Sequence, residues 1–385
     1  MLTLLSQAEE RIHAVENELQ KVNIRYYLYD HPNITNIGGE GLGAKGRFWK
    51  GHHHEVEYDD QIMKDLQRSS LRTMDPEQAD LYIPLINLSR ILTSKRQDFS
   101  PLRYVVEHEY FRRNEGYNYV IICTCYHLFR SDTYGNYKSL KDIYPSLYNV
   151  TVVQSFDGSA TYNEFHHSEG TDWGEFNVYR NFEPVVRKSV SLGLGTSNNE
   201  RVLVQASREK FDNSSNFIFY HTTTSGSFNN STIFRHAPIK NVDNETLPKS
   251  SIGWGIGGEE WEREFKDSKF CLMIRGDSPH SHALVRSIRV GCIPVIISDT
   301  LPIYSPMLKS SIQMSDYAII LDEQVFINNP QETLLKLNDI SEEMIDVKLM
   351  HLAFAQRVLF SDHPQSLFIP AFLREAQMAT EVRLV

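Results

Sequence analysis

Between Lys269 and Asp299 the chain reads KFCLMIRGDSPHSHALVRSIRVGCIPVIISD, an order of residue types suited to binding a phosphate. The apolar run Phe270 to Ile274 predicts a buried strand, and Arg275, Gly276 and Asp277 follow as a polar loop. Ser278 suits an N-cap and Pro279 the first helical position. The helix predicted from there stops at Gly291, a residue type favoured just past a helix end. Ile293 to Ile297 predicts a second buried strand, ending at Asp299. A helix entered in this way leaves backbone N–H groups free at its start, where the helix dipole also favours an anion. Arg275 adds a cation, and Ser278, Ser281 and His282 add polar hydrogens. Turns of this kind also occur in α/β proteins that bind no phosphate, and Arg275 taken alone reads equally as a solvated loop charge.

A reaction at such a phosphate needs a proton acceptor elsewhere. His127 is the first choice, because it follows the apolar run Tyr119 to Cys125. Asp157, Glu164, His166, His167 and Asp172 are further candidates, in a polar and aromatic stretch without periodicity. The triplet His52, His53 and His54 has no partners at metal-ligand spacing and reads as a solvated loop. The chain contains no D-x-D pair of the sort that holds a divalent ion, so no metal site is predicted. Cys123, Cys125, Cys271 and Cys292 show no disulfide framework in their count or spacing. Cys271 and Cys292 read as core thiols.

The segment FCL-x-x-x-GDSP-x-S followed by GCIPVIISD resembles the signature of the exostosin-like glycosyltransferases, glycosyltransferase family 47. Leu71 to Leu85, LRTMDPEQADLYIPL, resembles that family's RT-x-DPEEADLFFVPL segment, and Ile24 to Pro32, IRYYLYDHP, its opening strand IYVYDLP. GYNYVII at Gly116 to Ile122 is a weaker match. All four occur in the family's order. The resemblance implies a GT-B-like α/β fold, two Rossmann-like domains facing a cleft. It implies an inverting, metal-independent transferase without cofactors, a hexosyl- or pentosyltransferase. The sugar would move from a nucleotide diphosphate sugar, UDP-linked, to a glycan or glycoprotein acceptor. The donor would be held by Arg235, Arg275, Gly276, Asp277, Ser278, Ser281, His282 and Arg286, with His127 as base. Arg286 departs from the family, which usually places a carboxylate for the nucleotide ribose in this helix. That reversal of charge keeps a second reading open, a non-catalytic exostosin-like glycan-binding or partner subunit. The resemblance also implies a Golgi or secretory-pathway lumen and a type II membrane protein. The expectation follows that the anchor is missing from this chain. Assembly with itself or with a related chain is left open.

Elements that would position these groups alternate along the chain in an α/β pattern. Residues 1–22 predict an amphipathic helix, a stem or coiled-coil fragment. Residues 23–180 predict an acceptor domain with strands at Ile24 to Tyr29, Leu81 to Leu85, Tyr119 to Cys125 and Val150 to Ser155. Helices are predicted at Asp60 to Ser69 and, broken by Pro101, within Ile91 to Tyr110. Asp75 and Asp80 read as caps that orient the loop before a strand. Residues 181–350 predict the donor domain, with strands at Glu200 to Ala206, Asn216 to Tyr220 and Ala318 to Leu321, and a helix N-capped by Ser341. Residues 351–385 predict helices that pack back towards the first domain. The full chain has 385 residues, 41% hydrophobic and 23% charged, with a net charge of −10. That composition is globular and lacks the basic runs of a nucleic-acid binder. No stretch approaches the ~20 apolar residues that span a bilayer. N-x-S/T sequons at Asn33, Asn87, Asn149, Asn213, Asn229, Asn230 and Asn244 suit a lumenal protein.

Overall fold

The structure, a computed structural model, describes residues 3–35, 53–92, 98–125, 144–155, 188–192, 202–222, 239, 241–243, 245–254, 256, 258–274, 282–299 and 301–381. They fall into two compact units, residues 19–198 with 303–310 and 367–385, and residues 1–18 with 199–302 and 311–366. Each unit is built on parallel strands. No described helix is long and apolar enough to cross a membrane.

The chain opens with helix α1 (Leu4–Gln20), whose apolar face includes the buried Ala8 and Leu19. Then comes the first unit's sheet: β1 (Tyr26–Tyr29), β2 (Arg72–Thr73), β3 (Leu81–Pro84), β4 (Val120–Ile122), β5 (Thr151–Gln154) and β6 (Lys188–Ser191). The strands lie in the order β2-β1-β3 and β4-β5-β6, all parallel. A parallel bridge between Tyr82 and Tyr119 joins the two sets, so the order runs β2-β1-β3-β4-β5-β6. Both faces of β3, β4 and β5 are buried, as in central parallel strands, although β5 carries Thr151 and Gln154 at its ends. Helices α2 (Pro32–Thr35), α3 (His53–Arg68), α4 (Leu102–Val106) and α5 (Glu109–Asn114) belong to this unit. His53 and His54 open α3, seven residues before the predicted start, so these two members of the triplet are helical rather than in a loop. The caps read from sequence are present. Asp75 accepts the Glu77 N–H at 3.0 Å, and Asp80 accepts the Arg25 N–H at 2.7 Å. Asp80 thereby ties the loop before β3 to the residue before β1.

The second sheet contains β7 (Asn216–Thr222), β8 (Ser251–Trp254), β9 (Ser268–Ile274), β10 (Ile293–Ile297) and β11 (Ile319–Leu321). Its order is β11-β10-β9-β7-β8, again all parallel. Counted along the chain within each unit, both sheets begin with the strand order 2-1-3-4-5. Helices α6 (Gly258–Lys266) and α7 (His282–Arg289) precede and follow β9, and α8 (Glu342–Leu359) packs on α7 and β10. Ser341 caps α8 as expected, its hydroxyl accepting the Met344 N–H at 3.3 Å. No strand forms in the described part, 202–206, of the stretch Glu200 to Ala206. There the Val204 N–H bonds the Arg289 carbonyl and the Ala206 N–H bonds the Gln356 side chain, so the backbone caps a helix end instead of joining the sheet.

Two terminal helices complete the units. α1 belongs to the second: the Leu4 N–H bonds Glu343, Arg11 forks onto Asp316, and Glu16 pairs with Arg357. The C-terminal helix α9 (Phe368–Glu381) lies against β6 and β5 of the first. Its Thr380 carbonyl accepts the Lys188 ammonium at 2.9 Å, and Glu375 accepts the Ser310 N–H at 2.9 Å.

Candidate functional site

In an open parallel sheet, ligands bind beyond the carboxyl ends of the strands, where the strand order reverses. In the second sheet that point lies between β7 and β9, the two strands from which chain connections leave in opposite directions. β7 ends at Thr222 and β9 at Ile274, so the segments 223–238 and 275–281 leave from this point. They contain Arg235, and Arg275, Gly276, Asp277, Ser278 and Ser281. All six lie outside the described residues, as do His127, Asp157, Glu164, His166, His167 and Asp172.

Of the predicted donor residues, His282 and Arg286 are described. They sit one turn apart on α7, on the same face of the helix. The guanidinium of Arg286 lies over the ring of Trp261 on α6, 5.3 Å from its centroid. Trp261 in turn stacks on Phe265 at 4.6 Å and meets Phe219 of β7 edge-on at 5.6 Å. Arg286 is therefore anchored to the apolar layer that joins α6 to β7.

His221, a residue the sequence did not single out, belongs to this site by position. It is the penultimate residue of β7, with Nε2 2.9 Å from the Ser251 hydroxyl on β8. Nδ1 is buried without a hydrogen bond among the described residues. Opposite it stands Gly253, where an added Cβ would come within 3.1 Å of the imidazole Cε1. Burial holds the His221 imidazole below its usual range, partly offset by Glu264 and Glu260. The ring is thus biased to its neutral form, able to donate and accept. Only the strand pairing reveals it, since one histidine in an aromatic run carries no signal alone.

The far end of α7 is tied closely to its surroundings. Gly291 takes φ +62°, and the Cys292 N–H bonds the Ser287 carbonyl while the Gly291 N–H bonds Ile288, the paired reverse bonds of a Schellman end. A Cβ on Gly291 would lie 2.9 Å from the Ala206 Cα. Gln356 of α8, fully buried, donates to the carbonyls of Val204 and Ile288 at 2.8 and 2.7 Å and accepts the Ala206 N–H at 3.0 Å. Arg289 forks onto Asp362 and stacks on Phe360 at 4.3 Å. Cys271 of β9 and Cys292 form a disulfide with Cα atoms 5.9 Å apart, which corrects the reading of both as free core thiols. Cys271 pairs with Pro294 across β9 and β10, and Cys292 comes within bonding reach of it where the chain turns at Gly291 before β10 begins. Cys123 and Cys125 are buried.

Beyond β10, Asp299 Oδ1 accepts the Glu323 N–H at 3.0 Å, so this carboxylate orders the next helix start. A sheet wound in this order, with α7 following β9 beside the reversal point, is an α/β arrangement of the kind that binds its ligands at the carboxyl ends of the strands. The family model Exostosin GT47 domain matches residues 10–334, and the chain belongs to that family of glycosyltransferases. A glycosyltransferase of this family binds a sugar donor and a glycan acceptor. No curated protein matches the sequence.

Proposed function

We propose that this glycosyltransferase moves a sugar from a nucleotide diphosphate sugar, UDP-linked, to a glycan hydroxyl with inversion and without a metal. The observation that carries the reading is the strand order of the second sheet, whose reversal point lies directly before the Arg275–Ser281 segment. The diphosphate would take backbone N–H groups near the start of α7, with Arg275 and Arg235 neutralising charge as it leaves. The acceptor oxygen would bond to the anomeric carbon as the bond from that carbon to the diphosphate oxygen breaks. The hydroxyl proton would pass to a base, for which His127 remains the choice. His282 and Arg286, one turn apart on α7, would flank the donor, with Arg286 steadied by Trp261.

A lumenal setting is supported by the Cys271–Cys292 disulfide, since such bonds persist in oxidising compartments. The exposed sequons Asn33 and Asn213 agree with it. Calorimetry with UDP alone tests the donor reading. We expect binding that is unchanged by a chelator and weakened at least tenfold by Arg275→Ala. Absence of UDP binding, together with no turnover on a panel of nucleotide sugars, would sink it. Inversion is checked by NMR of the first product anomer.

A further inference from the structure

The first sheet has its own reversal point, between β1 and β3, and the residues just beyond β1 are Asp30 and His31. We propose that Asp30, His31 and Tyr104 form the subsite for one neutral sugar residue of the acceptor, an inference that rests on the transferase reading. The His31 ring stacks on Tyr104 of α4, with centroids 4.7 Å apart and planes 20° from parallel. Tyr104 is held from two sides. The Arg103 guanidinium lies 4.6 Å from its ring centroid, and the Tyr29 hydroxyl donates to its carbonyl at 3.2 Å. The ledge is therefore formed before any ligand arrives. Both rings remain half-buried rather than covered.

Its polar edge is equally defined. His31 Nδ1 accepts the Asn33 N–H at 3.1 Å, so the neutral imidazole carries its proton on Nε2. That N–H has no partner among the described residues. Asp30 Oδ1 accepts the Thr35 hydroxyl, and Oδ2 has no partner among the described residues. One donor and one acceptor thus stand side by side at the edge of an aromatic stack. A sugar offers the complement: neighbouring hydroxyls that both donate and accept, beside an apolar C–H face. Charge selects the class. Among the described residues here, Asp30 and Glu107 are exposed carboxylates against one cation, Arg103, a balance that disfavours a uronate or a sulfated residue.

Saturation-transfer NMR tests this with methyl β-glycosides of galactose, glucose and xylose, and with methyl β-glucuronide as the charged contrast. UDP binding by calorimetry and the melting temperature are measured on the same samples. We expect at least one neutral glycoside to bind and the glucuronide to bind at least fivefold more weakly. Asp30→Asn keeps the oxygen that takes the Thr35 hydroxyl, and His31→Ala removes the ledge. Each should weaken the neutral glycoside at least fivefold while leaving UDP affinity and melting unchanged. Glycoside binding lost in these variants but present in a protein that fails to bind UDP would uphold the subsite while sinking the donor reading. No neutral glycoside bound, a preference for glucuronide, or unchanged binding in both variants overturns the proposal.

Discussion

Asp59 has no exposed surface, and both the backbone N–H and the hydroxyl of Thr124 bond its Oδ1, at 3.1 and 2.7 Å. Burial pushes its carboxyl up to about 7 despite the help of Ser89 and Thr124, and the Asp60 charge pushes the same way. The folded state therefore holds a proton that the unfolded chain releases near pH 4. Asp59 contributes its full stability below that pH and loses it as pH rises through about 7. Ionisation near 7 rather than 4 is worth at most ~4 kcal/mol. Denaturant titrations should show wild-type stability falling between pH 5 and pH 8, and Asp59→Asn flattening that slope. An equal slope in both proteins would refute the assignment. Residues of this kind are illegible in sequence. Asp59 and Asp60 are adjacent and identical in type, yet Asp60 pairs with Arg90 at 2.6 Å at the surface while its neighbour is sealed inside. By contrast, the capping roles of Asp75 and Ser341 were legible, because a cap depends on three or four neighbouring residues, whereas the partner of Asp80, Arg25, lies 55 residues away. Arg286 lies between these cases: its odd charge was visible in the sequence, but its partner Trp261 became visible only with the packing of α6 on α7.

At the scale of elements, the layer behind the candidate donor site hangs on one amide. Gln356→Ala strands the Ala206 N–H and the Val204 and Ile288 carbonyls, and each buried group left unsatisfied costs ~1–3 kcal/mol. A loss of ~3 kcal/mol or more is expected in urea unfolding, whereas a loss below ~1 kcal/mol would show that Gln356 is replaceable. The disulfide acts on the same layer from the strand side. It closes a loop of 21 residues, for which the chain-entropy account gives ~3 kcal/mol. The Cys271→Ser, Cys292→Ser double variant should lose about that much, measured against the oxidised protein. Strand β10 was readable from its apolar run and flanking Gly291. Strand β6, KSVS, was not, since it begins with a buried lysine whose ammonium lies over the Tyr117 ring and donates to the Thr380 carbonyl of α9. The approach of Cys271 to Cys292 is likewise a property of the folded sheet and its turn, and spacing along one chain does not contain it.

For the molecule as a whole, secretion is the assumption with the most visible consequence. Asn213 is exposed at the end of its helix, whereas Asn87 is buried, its amide bonding the Val56 carbonyl at 3.0 Å and Asp60 at 2.7 Å. Mass spectrometry of protein made through a eukaryotic secretory pathway should find a glycan on Asn213 and none on Asn87. Occupancy of Asn87 in folded protein would contradict the packing around α3. The division of the chain into units has another effect, on its synthesis. The first eighteen residues belong with 199–302 and 311–366, and the last nineteen with 19–198. Neither unit is complete when its central stretch leaves the ribosome. α1 must wait, apolar stripe uncovered, for partners such as Asp316 and Arg357 some 300 residues later. The first sheet must wait for α9, nearly the last segment made. At ~5–20 residues per second that delay lasts tens of seconds or more, a window in which a nascent chain depends on chaperones.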